Sequence, residues 1–211
     1  MKITIDKFQR LYAISNMDLN ELDKSSRLVQ CLTDVSEADI DAMPIKKFNK
    51  LCASLKQIFE LKTNGVPSDY IIVNGRRYKI IYNVTDKEFN AGKYVEVSTF
   101  AKDIIGNLHK YMASIVIPMR FNWLKFRYEK VEMSHNEIAE EMLDADFFKC
   151  YHSAVFFYVV YTKTIENLQP YLVKEMKNKG MTDKAATEAL INLRNTLAGF
   201  TMPKWCQNLK T

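Results

Sequence analysis

Apolar residues along this chain recur mostly at helical spacing. Ile5, Phe8, Leu11 and Tyr12 share one face of a segment whose Asp6, Lys7 and Arg10 point away, with Thr4 placed as an N-cap and an end near Ser15 and Asn16. A second helix is predicted from near Asp18 to about Thr33, with Leu22, Leu28, Val29 and Leu32 as its apolar side. Residues 28–59 then pack three helix signals into a short stretch. Ser36 and Asp39 stand three apart, as in a capping box, where hydroxyl and carboxylate each satisfy a backbone N–H that a first turn leaves free. Pro44 sits where a first turn tolerates a missing donor, and Phe48, Leu51, Leu55 and Ile58 follow at helical spacing. Residues 63–68 read as a linker, because Gly65 and Pro67 break both helix and strand.

The period then changes from helical to alternating. Residues 70–73 and 76–82 are rich in β-branched and aromatic residues and flank Asn74-Gly75, which supplies the two positive-φ positions of a type I′ turn, so a β-hairpin is predicted. Residues 95–112 return to a helical pattern with Gly106 as its weak point, and Ile115-Val116-Ile117 is expected to end at Pro118, which lacks a donor. In residues 120–131 aromatics interleave with cations, but the alternation slips at Leu124 and Lys125. That slip predicts a bulge, a bend or a loop rather than one flat strand.

Ser134 and Glu137 form a second capping box, opening a helix through Met142. From Asp146 to about Lys177 the pattern is helical and rich in aromatics on more than one face, so this helix must be central to a core or to an interface. Phe156 and Phe157 are expected in the core, with partial exposure of at least one of Tyr158, Tyr161 and Trp205. Pro170 is a candidate kink, Lys179-Gly180 a helix end, and Thr182 the start of a last helix striped by Ala186, Leu190, Leu193 and Leu197. The expected fold class is therefore mainly α with a small β-hairpin or sheet (α+β). A helical unit over 1–62 precedes a hairpin and helical bundle over 68–211, as two units or one continuous domain.

Composition agrees with a helix-rich globular chain: among 211 residues, 47% are hydrophobic and 26% charged, with only 6 Gly and 5 Pro. The longest apolar run, 154–161, falls well short of the roughly 20 residues that span a bilayer. The first residues lack the apolar core of a signal peptide, so no membrane partner and a cytoplasmic location are expected. Cys31, Cys52, Cys150 and Cys206 are scattered and read as small buried hydrophobes. A net charge of +5 favours an acidic partner but is small for a dedicated nucleic-acid binder.

Candidate chemistry is sparse. His109, His135 and His152 stand apart from other ligand types, no Gly-x-Ser-x-Gly element offers a nucleophile, and no glycine-rich loop offers a phosphate cradle. Carboxylates gather at helix N-termini, where the dipole favours them. No catalytic, metal or cofactor residue is assigned. One pattern fits nucleic acid: Arg76, Arg77 and Lys79 near the hairpin tip, with Arg120, Lys125, Arg127 and Lys130 beside Trp123, since single strands bind by stacking and phosphate neutralisation. A solvated sheet face that discourages edge pairing gives the same letters.

The order of several short pieces resembles a family of virion-module proteins, including proposed tail assembly chaperones, from tailed phages such as the crAss-like phages of gut bacteria. The pieces are Ile5-x-x-Phe8-x-x-Leu11; Asp23; Leu28-Val29-x-x-Leu32-Thr33-x-x-Ser36-Glu37-x-Asp39-Ile40-x-x-Met43-Pro44; and Phe48-x-x-Leu51. Ile72-Val73-Asn74-Gly75-x-x-Tyr78, the run from His109 to Pro118, and Phe147-Phe148 complete them, covering about residues 3–160. After Pro118 an aromatic-basic segment replaces the polar, Gly-containing loop of that pattern. The resemblance implies a non-enzymatic role in virion assembly through phage tail or portal-region proteins, in the host cytoplasm or in the virion, with a homo-oligomer also compatible. On that reading Leu28, Leu32, Ile40, Met43, Phe48, Tyr158, Tyr161 and Trp205 are candidate partner-binding residues. The alternative is a capsid-carried nucleic-acid-binding protein delivered with the genome.

Overall fold

The computed structural model describes residues 2–59, 65–83, 87–178 and 182; for Ala91 and residues 165–178 it describes the backbone alone. The last helix expected after Thr182, Cys206 and the tail with Trp205 lie outside the described residues. The chain is mainly helical with one four-stranded antiparallel sheet, an α+β fold.

Four helices come first: α1 (Ile5–Ser15), α2 (Glu21–Thr33), α3 (Glu37–Asp41) and α4 (Ile45–Phe59). Thr4 caps α1 as expected, accepting from Lys7 N, and the Ser36–Asp39 capping box is complete at α3. The start of α2 lies later than Asp18, because Asn20 is its cap and its side chain accepts from Asp23 N at 2.8 Å. That placement turns Leu22 outward, 72% exposed, rather than onto the apolar side.

Strands β1 (Tyr70–Val73) and β2 (Arg76–Ile80) form the predicted hairpin, with Asn74 and Gly75 at φ 48° and 79°. Helices α5 (Ala91–Phe100) and α6 (Leu108–Ile115) follow, separated by a 3₁₀ turn over 101–103 and a break around Gly106. Helix α6 runs without a loop into β3 (Val116–Asn122), which pairs with β2 on one side and β4 (Arg127–Lys130) on the other.

Pro118 therefore lies inside a strand rather than ending one. Its carbonyl accepts from Val131 N at 2.9 Å, so its missing donor also points to that side, just past the end of β4, where no ladder bond is lost. The slip at Leu124 and Lys125 is the turn of a second hairpin.

Helix α7 (His135–Met142) carries the complete Ser134–Glu137 capping box, and α8 (Phe147–Asn178) continues through Pro170. One core cluster joins the helices to the sheet face carrying Ile71, Val73, Tyr78 and Ile80. Phe147 N donates to Ile3 O at 2.8 Å and Ile5 N to Ala145 O at 3.0 Å, which fixes the N-terminus against the start of α8. Along α8 the buried positions include Phe147, Tyr151, Ala154, Phe157, Tyr158 and Tyr161. Phe156 is 42% exposed and covers Tyr82 edge-on, because neighbours on a helix are turned by about 100° and only Phe157 faces the core. The expectation that Phe156 is core is thus corrected. Tyr158 and Tyr161 are both buried, and Trp205, the third residue of that expectation, lies outside the described residues.

Candidate functional site

Because side chains alternate along a strand, the register divides this sheet into two chemically different faces. One face meets the helices. The other carries Tyr70 and Ile72 of β1, Arg77 and Lys79 of β2, Ile117, Met119 and Phe121 of β3, and Tyr128 and Lys130 of β4. Ile117 is buried, but Ile72 is 59% exposed and Tyr70 and Tyr128 are also open to solvent.

These residues form a ladder across all four strands. The Arg77 guanidinium lies 3.8 Å from the Tyr70 ring centroid and 4.6 Å from that of Tyr128, as a cation held between two aromatic faces. Phe121 meets Tyr128 edge-on at 5.2 Å, and Trp123 meets Phe121 at 4.9 Å. Between the strands lies a cavity of about 300 Å³ lined by Asp69, Tyr70, Arg77, Lys79, Met119 and Tyr128, among others.

The β3–β4 turn exposes Trp123, Leu124 and Phe126 at 76%, 95% and 80%, and Trp123 continues this face through its contact with Phe121. Asn122 builds the turn: its Oδ1 accepts from Leu124 N at 3.0 Å and Lys125 N at 3.2 Å, while its Nδ2 donates to Glu129 at 2.8 Å. Phe126 closes the turn at φ 47°, a region costly for a residue with a bulky side chain. Glu129 Oε1 also accepts from Lys125 at 2.9 Å and from Arg127 at 3.2 Å. These cations, together with the Asn122 amide, lower the Glu129 pKa to about 2.

The basic candidates therefore separate. Arg77 and Lys79 stay together on the solvent face, whereas Arg76 turns to the opposite face and binds Glu141 of α7 at 2.6 Å. Lys125 and Arg127 converge on Glu129, Lys130 pairs with Glu88, and Arg120 stands opposite Glu129 in the β3–β4 ladder. Sequence reading overlooked Tyr70, Ile72 and Leu124. In the apolar run Tyr70 to Val73 both faces look buried, and only the register shows that Tyr70 and Ile72 point out.

The residues expected to meet a partner through the helices are used inside the chain. Leu32, Ile40, Tyr158 and Tyr161 are buried in the core, and Leu28, Met43 and Phe48 pack against it. Leu28, Met43 and Phe48 remain half-buried, and Trp205 lies outside the described residues.

A larger cleft of about 750 Å³ lies between α5, the β3–β4 end and α7, lined by Glu88, Lys93, Glu96, Lys130 and His135 among others. His135 Nε2 lies 3.1 Å from both Ser114 Oγ and Lys110 O and 3.7 Å from Glu96. One nitrogen meets all three groups, whereas a proton relay needs the acid and the nucleophile on opposite ring nitrogens. The contacts tie α7 to α6. Among the described residues no group of three His, Cys, Asp or Glu side chains is placed to hold a metal, and no helix is long and apolar enough to cross a membrane. Comparison with protein-family models, curated proteins and solved structures gave no match.

Proposed function

We propose that this chain is a non-enzymatic protein of tailed-phage virion assembly, working in the host cytoplasm by binding another virion protein. Its role is that of a tail assembly chaperone or a small tail or portal-region component. The observation that carries the reading is the uncovered apolar surface of Trp123, Leu124 and Phe126 at the β3–β4 turn, with Ile72 exposed on the solvent face of the sheet. Exposed apolar groups gathered at one turn mark an interaction site, and the resemblance to phage virion-module proteins gives the class of partner.

Affinity purification from infected cells, beside mass spectrometry of purified particles, tests this. A chaperone co-purifies with a tail protein and is absent from particles, whereas a virion component is present in them stoichiometrically. A chain found in neither setting with any virion protein overturns the proposal.

A second reading, a genome-delivered nucleic-acid-binding protein, is favoured by Arg120, Lys125 and Arg127 around the exposed Trp123. It requires log affinity for single strands to fall with log salt at roughly −0.7 per phosphate neutralised.

A further inference from the structure

Arg77 and Lys79 set the character of the sheet's solvent face, and among the described residues no ion pair engages either of them. They line the cavity of about 300 Å³ together with Tyr70, Met119 and Tyr128. Glu129, the carboxylate that gathers Lys125 and Arg127, belongs to the other face of β4, because Tyr128 and Lys130 alternate with it. The solvent face is thus apolar and aromatic with cations at its centre, and Asp69 is the acidic residue on the cavity rim.

Deepening the assembly reading, on which this rests, we infer that this face docks an acidic protein segment carrying apolar side chains. A carboxylate of that segment enters the cavity to meet Arg77 and Lys79. Its apolar neighbours lie on Ile72 and on Trp123 and Phe126 beyond. Charge complementarity selects the occupant, since two neighbouring cations without an ion-pair partner attract carboxylates and penalise like charge. A second copy of the chain is disfavoured, because a two-fold contact through this face sets Arg77 and Lys79 against their own equivalents. A nucleic-acid strand is disfavoured too. Arg77 already covers ring faces of Tyr70 and Tyr128 on which bases would stack, and Ile72 offers no stacking plane.

Fluorescence anisotropy on the full chain tests this, with a short labelled peptide of alternating Glu and Leu, its Lys-for-Glu counterpart, and labelled oligo-dT. The Glu peptide binds the wild type, and the double variant R77E/K79E weakens it about tenfold or more while gaining affinity for the Lys peptide. Both substitutions are at the surface, and an unchanged thermal melt confirms that the variant is folded. Equal binding of the two peptides, or no effect of the double variant, overturns the inference. Tighter, salt-sensitive binding of oligo-dT overturns it in favour of a nucleic-acid surface. Self-association of the wild type that the double variant abolishes overturns it in favour of a second copy. If the Glu peptide fails while a virion protein still co-purifies, this inference falls alone; if the peptide binds and no virion protein co-purifies, only the assembly reading falls.

Discussion

Phe8 of α1 lies flat on Phe147 at the start of α8, ring centroids 3.5 Å apart and planes 8° from parallel. Both side chains are buried, and Phe59 of α4 closes on the same ring of Phe8 at 5.9 Å. The contact joins the first helix to a helix that begins nearly the whole described chain later. Phe8→Ala should therefore cost about 3 to 5 kcal/mol, and should move one cooperative transition rather than melt the N-terminal helices separately. Parallel thermal melts by far- and near-ultraviolet circular dichroism check this; two resolved transitions in the variant would oppose it.

Neighbouring phenylalanines on α8 should behave very differently. Phe157 is fully buried, with Phe89 at 5.5 Å and Tyr161 at 5.9 Å, whereas Phe156 lies on Tyr82 at the surface. Phe157→Ala is expected to cost about 3 to 5 kcal/mol and Phe156→Ala about 1 kcal/mol. Urea unfolding of the two variants measures the difference, and equal midpoints would contradict the assigned face.

What could be read from sequence, and what could not, follows from the range of the interactions involved. The caps at Thr4, Ser36 and Ser134 and the Asn74-Gly75 turn were legible because each is satisfied within a few residues. Pro118 was misread because the cost of its missing donor depends on whether a distant strand lies beside it, and here β4 has already ended. The second hairpin left no Gly or Pro signal: its turn is held by the Asn122 side chain, and its left-handed position falls to Phe126. On α8 the aromatic residues surround the helix, so spacing alone did not select which of Phe156 and Phe157 faces inward. The solvent face was half-visible, as cations beside Trp123. Its extension to Tyr70 and Ile72, and the loss of Arg76 to the other face, required the register.

His109 gives the fold a pH dependence of known sign. Gln9 Nε2 lies 3.1 Å from His109 Nδ1, and burial, with Lys110 beside it, lowers the imidazole pKa below its ordinary 6.5. The unfolded chain takes up this proton first as pH falls, so the contribution is complete above about pH 6.5 and is lost as pH drops toward the folded-state value. Urea midpoints for wild type and His109→Asn should converge on acidification from neutral pH through that window. A difference independent of pH would show that the neutral imidazole is not what the fold selects.

Phe126 trades stability for display. Its backbone stands at φ 47° while its side chain is 80% exposed, so little packing offsets the strain. Phe126→Gly is expected to leave stability unchanged or to raise it by up to about 1 kcal/mol, while weakening association with the partner. Calorimetry and a binding titration on the same sample test both halves. A variant that is destabilised and binds normally would reverse the assignment.

The central claim is that this chain acts by holding another virion protein on the solvent face of its sheet. Cross-linking mass spectrometry in infected cells addresses it most directly, through the amines of Lys79, Lys125 and Lys130 around that face. The account predicts that these lysines cross-link to one tail or portal-region protein, at acidic stretches of its sequence, and that R77E/K79E removes the links from Lys125 and Lys130, whose amines it leaves in place, without lowering the chain's abundance. Cross-links to a virion protein confined to lysines of α2 and α4, or none to any virion protein, would contradict it.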